Sequence, residues 1–173
     1  FKANCIGKNN TDEEIEYAMK ATKALGADFL TNELMDNDSV DRVNFYAEKN
    51  NVNVAYHTHA NNLGSNVKTT DTVWDYALNS SKKNYINLDI GHYIAVGGSN
   101  TKESLIDFIK RNHKRISSLH VKDRKAGKSA NITGSDNQVW GYGDTPIIEV
   151  LQLMRDNSYK FTATIELEYR IPE

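Results

Sequence analysis

Short apolar runs alternate with stretches of helical periodicity along the whole chain. Runs at residues 1–6, 27–31, 52–56, 85–89, 116–121 and 161–165 predict strands, several of them apolar on both faces. Between the first two, Ile15, Ala18, Met19, Thr22 and Leu25 repeat at helical spacing. They follow Thr11-Asp-Glu-Glu14, a capping box with Thr11 as N-cap, and Gly26 stops the helix. Further helices are predicted over about 39–49, with Val40, Val43 and Ala47 on one face, and after Asp71 as cap, with Val73, Trp74, Ala77 and Leu78. Another begins at Thr101 and carries Leu105, Ile106, Phe108 and Ile109, and the last starts with Thr145 as N-cap and Pro146 at the first helical position. A polar loop occupies 124–138. Strand and helix alternate throughout, which predicts an α/β domain over residues 1–173 with a parallel sheet covered by helices. The count of about six strand-helix units leaves two architectures: an open doubly wound sheet, or a (β/α)8 barrel short of two units, since the closed form takes eight strands and roughly 250 residues.

Composition narrows the class only a little. Hydrophobic residues make up 39% of the 173 and charged ones 25%, enough to build a core. A net charge of −2 argues against a dedicated nucleic-acid binder, which needs a local excess of Lys and Arg. No apolar run approaches the roughly 20 residues of a membrane span. Residues 1–7 lack the basic region and long apolar core of a signal peptide. A soluble protein is expected, cytoplasmic or periplasmic, without a membrane partner. The chain lacks an initiating Met, as a processed or trimmed product would. Cys5 is the single cysteine, so neither an internal disulfide nor a Cys-based zinc site is expected.

Candidate chemistry collects where the strands stop. The stretch YINLDIGH at 85–92 delivers Asp89, Gly91 and His92 to a strand end, and taken alone Asp89 reads equally well as a helix cap. The other ends repeat the pattern with Glu33, with His57 and His59, with His120, Lys122 and Asp123, and with Glu166. In α/β folds functional groups gather at the C-terminal ends of strands, and this mix of oxygen and nitrogen donors suits Mn²⁺, Mg²⁺, Co²⁺ or Zn²⁺. His57 and His59, taken as members of an alternating strand, are expected on opposite sides of the backbone, one facing the site and the other packing nearby. Lys122 and Asp123 read as a surface ion pair or as functional groups. No phosphate loop and no serine nucleophile elbow is present.

The segments NLDIGH from Asn87, SLHVKDRK from Ser118, WGYGD from Trp140 and TIELE from Thr164 occur in that order. Together they resemble the sugar phosphate isomerase/epimerase superfamily, the xylose isomerase-like TIM barrels that include the apurinic endonuclease branch. AYHTHANN from Ala55 is similar to the histidine-pair version of several sugar epimerase and inosose dehydratase branches. The resemblance runs over essentially the whole chain and is specific for the superfamily, not for a substrate. It implies a (β/α)8 barrel lacking here its first two units, with one divalent metal ion at its mouth. Asp89, His120 and Glu166 fall on ligand positions. The fourth is assigned to Glu33, with His57 as the alternative, because His57 stands where many epimerases carry a Glu. His59 and His92 take the part of substrate contacts, Lys122 and Trp140 are counted with them, and the 140–144 segment shapes the rim.

The implied activity is a metal-dependent isomerase or epimerase of a sugar or sugar derivative, in which Glu166 and His57 transfer protons beside a polarised carbonyl. Loss of water at the same site would make a dehydratase. A non-catalytic sugar-binding or assembly module is the third reading. A DNA-repair endonuclease is the least favoured, since that branch needs a trinuclear zinc cluster, more histidines and a basic groove. The expected partner is a small-molecule sugar, with no nucleic acid. An unpaired edge on the first strand would favour self-association into a homo-oligomer.

Overall fold

The computed structural model describes residue 6 and residues 9–60, 69–127 and 137–169. The predicted first strand, except for Ile6, lies outside the described residues, as do Cys5, Gly7, Asn61, Asn62, Gly64 and Ser65. The Thr11–Glu14 capping box forms, and α1 runs Asp12–Ala24, burying Ile15, Ala18, Met19 and Thr22 before Gly26 turns the chain at φ 66°. Then follow β1 (Phe29–Glu33), α2 (Asn37–Asn50), β2 (Asn53–His57), α3 (Asp75–Ser80), β3 (Asn84–Asp89) and α4 (Ile90–Val96). The chain continues with α5 (Lys102–Asn112), β4 (Ile116–Val121), β5 (Asp123–Arg124), β6 (Asn137–Gln138), α6 (Ile147–Asp156) and β7 (Thr162–Ile165).

Five strands form one parallel sheet in the order β1-β2-β3-β4-β7. Parallel neighbours need crossovers, and the helices supply them and cover the sheet, so Leu30, Val54, Tyr56, Ile86, Leu88 and Leu119 are fully buried. Each such side chain contributes about 1.5–3 kcal/mol. Ile15, Met19, Val40, Val43, Trp74, Phe108 and Val150 pack on them from the helices. This is a TIM-barrel-type half barrel.

Two predicted caps are used otherwise. Asp71 accepts hydrogen bonds from Tyr93 and Arg111, and α3 starts four residues later at Asp75 without a side-chain cap. Thr145 does not cap α6 through its hydroxyl. That oxygen accepts from the Arg124 amide, and Pro146 takes the cap position. The expected 124–138 loop has paired ends, with β5 and β6 running antiparallel.

The anchor of this region is Asp123. Its buried carboxylate accepts from the amides of Gly141, Gly143 and Thr145 at 2.8–3.1 Å. Gly143 is required there, since a Cβ would overlap that carboxylate. Asp123 is therefore not half of a surface pair with Lys122. Asp123→Ala strips three amides of their acceptor and is expected to cost about 1–3 kcal/mol. Urea unfolding followed by Trp fluorescence measures this, and a midpoint equal to that of the unmodified chain would show that the 140–145 segment is held by something else.

Candidate metal centre

Parallel register brings the strand ends to one place. Glu33 pairs with His57 across β1 and β2, and Asp89 with His120 across β3 and β4. Glu166 follows β7 directly, and its amide bonds to the Val121 carbonyl. His59 lies two residues past His57. The expectation that the two histidines face opposite sides does not hold. Residues two apart in extended chain return to the same face, and their rings meet edge-on with centroids 4.7 Å apart.

Six side-chain atoms at these ends are buried and have no hydrogen-bond partner: Glu33 Oε2, His57 Nδ1, His59 Nδ1, Asp89 Oδ2, His120 Nδ1 and Glu166 Oε2. Buried polar atoms are normally satisfied, and most of these face one another or the Lys122 ammonium across the mouth, contacts that a bound cation would also satisfy. Ligands sharing one ion at bond lengths near 2 Å lie roughly 3–4 Å from each other. His120 Nδ1 stands 2.9 Å from Glu166 Oε2 and 3.9 Å from Asp89 Oδ2, and Glu33 Oε2 stands 3.2 Å from His59 Nδ1. Ligand atoms of His57, Asp89 and His120 lie within 4.8 Å of one another, and so do those of His57, His59 and His92. The donor set fits a divalent cation. Neither Glu33 nor Glu166 belongs to either trio; Glu33 is turned to His59, and Glu166 to His120 and Lys122.

Asp89 serves both of its readings at once. Oδ1 caps α4 by accepting from the His92 amide at 2.7 Å, and Oδ2 faces the cluster. Lys122, only 1% exposed, is no surface residue. Its ammonium lies 3.3 Å from Asp89 Oδ2, 3.2 Å from Glu166 Oε2 and 2.7 Å from Glu168 Oε2. Burial alone would raise the Asp89 pKa, but Lys122, followed by His92 and His57, outweighs it and holds the carboxyl well below the usual range. Burial also works against ionised Glu166, yet His120 and Lys122 bring it to about 2. Lys122 in turn is pushed up by Asp89 and Glu166 against the effect of its own burial.

The neighbouring histidines are neutral. Burial draws His57 down to about 4 and His92 well below its ordinary value. His92 Nδ1 accepts from the Ala60 amide at 3.2 Å and from Arg124 Nη1 at 2.7 Å, which leaves the ring proton on Nε2, 3.4 Å from the Lys122 ammonium and 3.9 Å from Asp89 Oδ2. That nitrogen is a donor to the site. The Asn87 amide sits 3.3 Å from His120 Nε2, holding that ring with Nδ1 toward Asp89 and Glu166. Trp140 is half-buried against the core, and its indole nitrogen is buried without a partner.

Sequence reasoning missed Arg124 and Glu168. The signal for the first was parity: His120, Lys122 and Arg124 fall on one face while Leu119 and Val121 fall on the other. Glu168 adopts φ 47°, and that turn, which no pattern announces, brings its carboxylate to Lys122.

Two outcomes test this geometry. A Cβ at Gly91 would overlap Cγ of Lys122 and crowd its carbonyl oxygen, so Gly91→Ala is expected to displace the lysine and destabilise the fold by about 1–3 kcal/mol. Thermal denaturation reads the loss. Neutral His57 has a folded pKa near 4 against 6.5 in the open chain, so the unfolded state takes the proton first as pH falls. The associated stability is complete above about pH 6.5 and is lost between there and about 4; Asp89 and Glu166 add their losses at lower pH, as carboxylates with depressed values must. With EDTA present, the urea midpoint should fall through that window, and His57→Gln should flatten the slope.

No curated protein matches the sequence. Solved structures share the architecture at low identity. The IolI protein, crystallised with a bound zinc atom, superposes with a TM-score of 0.72 at 16% identity, over 96% of this chain and 66% of that one. A xylose isomerase domain containing protein from Salmonella typhimurium gives 0.66 at 13%, over 95% and 65%. An AP endonuclease of family 2 from Brucella melitensis gives 0.66 at 12%, over 96% and 67%. The chain thus spans about two thirds of the length of these structures. The family model for xylose isomerase-like TIM barrels matches residues 13–173, and the chain belongs to that family.

Proposed function

We propose that the chain carries the metal-binding mouth of an isomerase or epimerase acting on a sugar or sugar derivative with a carbonyl beside a hydroxyl-bearing carbon. The observation that carries this reading is the convergence of six buried carboxylate and imidazole atoms from five strand ends, none of them in a well-formed hydrogen bond. His57, Asp89, His120 and Glu166 would hold the ion. The geometry favours His57 over Glu33 as the fourth ligand, because His57 lies within reach of both Asp89 and His120. The bound zinc of the IolI protein is a precedent within the fold. A divalent ion bound there would supply Lewis-acid polarisation of the substrate carbonyl, lowering the pKa of the adjacent C–H.

The remaining residues divide the proton handling. His57, as a ligand, gives up the role of base. His59 takes it instead, with Glu33 oriented against its Nδ1 at 3.2 Å, and both side chains retain partial exposure at the mouth. Glu166 stands at the other end of the strand order, and a carboxylate that gives one oxygen to the ion keeps its second for a proton, so a substrate lying across the site has a proton acceptor at either flank. His92 donates from Nε2 to a substrate oxygen. A small molecule is favoured over nucleic acid because Lys122 spends its charge on three carboxylates and leaves none for a phosphate backbone. No described helix is long and apolar enough to cross a membrane.

Metal content by mass spectrometry and solvent-deuterium exchange test the assignment together. Asp89→Asn, His120→Ala and His57→Ala are expected to lose the ion. Glu33→Gln and His59→Gln should keep it while the exchange of a keto-sugar C–H slows by about 10²–10⁴-fold. Failure of the Mn²⁺-loaded chain to incorporate deuterium into any ketose, 3-keto sugar or inosose would remove the isomerase and epimerase reading. Loss of metal on Glu33→Gln with retention on His57→Ala would reverse the choice of fourth ligand.

A further inference from the structure

Arg124 is a buried cation that the proposed proton chemistry does not use. It is 3% exposed, and no carboxylate among the described residues lies within ion-pair distance of it. Nη1 donates to His92 Nδ1 at 2.7 Å, while Nε is buried with no partner. The acids of the neighbouring segments are committed elsewhere. Asp123, its chain neighbour, accepts from three backbone amides. Asp144 accepts from the Ala126 amide and faces Lys125. Asp89, Glu166 and Glu168 surround Lys122.

An uncompensated guanidinium in the interior is costly, and buried charges are ordinarily paired. Its location narrows what could pair with it. One imidazole ring separates Arg124 from the cluster, since His92 bonds the guanidinium through Nδ1 and turns Nε2 toward Asp89. His92 takes Nη1, so the edge of the guanidinium left for a ligand is the one that carries Nε. That edge of a guanidinium presents two parallel N–H groups, which match the two oxygens of a carboxylate.

We propose that Arg124 binds a carboxylate of the substrate, so that the sugar derivative handled at this site is an acid: a polyhydroxy carbonyl compound carrying a carboxylate a few carbons from the metal-chelating end. This rests on the metal-dependent reading above and adds the substrate class to it. A carboxylate is favoured over a phosphate on charge. One guanidinium balances one negative charge, whereas a phosphate dianion would leave a second uncompensated, because the charge of Lys122 is already spent. The role explains why Arg124 is anchored by His92 and not by an acid: a protein carboxylate on the same edge would occupy the place of the substrate's.

The test uses the full chain loaded with Mn²⁺ and titrated calorimetrically with matched probes: D-glucuronate against D-glucose, D-tagaturonate against D-tagatose, and glucose 6-phosphate as the phosphate arm. At least one uronate is expected to bind about tenfold or more tightly than its neutral partner and than the phosphate. Arg124→Gln and Arg124→Lys should both remove that preference, the lysine variant because it keeps the charge and loses the paired donors, with metal stoichiometry unchanged in both. Equal affinities for acid and neutral probes, undetectable binding of all of them, tighter binding of the phosphate, or a preference that survives both substitutions would each overturn the proposal. Should Arg124→Gln fail to fold, the lysine variant and the probe comparison on the unmodified chain still decide it. Absence of bound metal in the unmodified chain would instead strike the underlying metal-dependent reading.

Discussion

The ammonium of Lys122 is the charge on which the mouth of the sheet depends. Asp89 and Glu166 converge from strands on either side of the one that leads to Lys122, and two carboxylates brought together out of water repel unless a cation stands among them. With Lys122 in place, both remain ionised against the cost of burial. The same ammonium reaches Glu168 beyond β7, so one side chain ties three strand ends into a single electrostatic unit. An ion pair in the interior repays its desolvation only with several good contacts, and this lysine has them.

Packing is arranged to let that lysine through. Gly91, just past Asp89, leaves the space that the stem of Lys122 fills. The DIGH and HVKD segments are therefore one interlocked device: the first supplies the carboxylate and the slot, the second the imidazole and the ammonium. On the opposite face of the second segment, Asp123 gathers the amides of the 140–145 turn and fixes the rim beside Trp140. Alternation along an extended chain divides the labour, sending His120, Lys122 and Arg124 to the site and Asp123 to the scaffold.

Much of this architecture was legible in the residues. The capping box at Thr11, the helix start at Thr101, the two-faced apolar strands and the polar strand ends are local features, written in consecutive side chains. Other features were not. Thr145 and Asp71 have the chemistry of helix caps, yet each found a stronger partner in a distant segment, and a side-chain oxygen answers to whichever donor the fold brings nearest. His57 and His59 were expected on opposite sides of the backbone, but residues two apart on a strand return to one face, and their rings meet.

The sequence by itself determined the order of elements, the parallel sheet and the polar groups carried at most strand ends, because periodicity and residue type act over a few residues at a time. Only the tertiary structure decided which of those groups meet. Glu33 turned to His59 and away from the Asp89–His120 pair, Lys122 became the counter-charge of the site, and Arg124 was left in the interior without an acid. Such outcomes depend on the register between strands distant in the chain and on the balance of charge in a dry interior, neither of which any single stretch of chain contains.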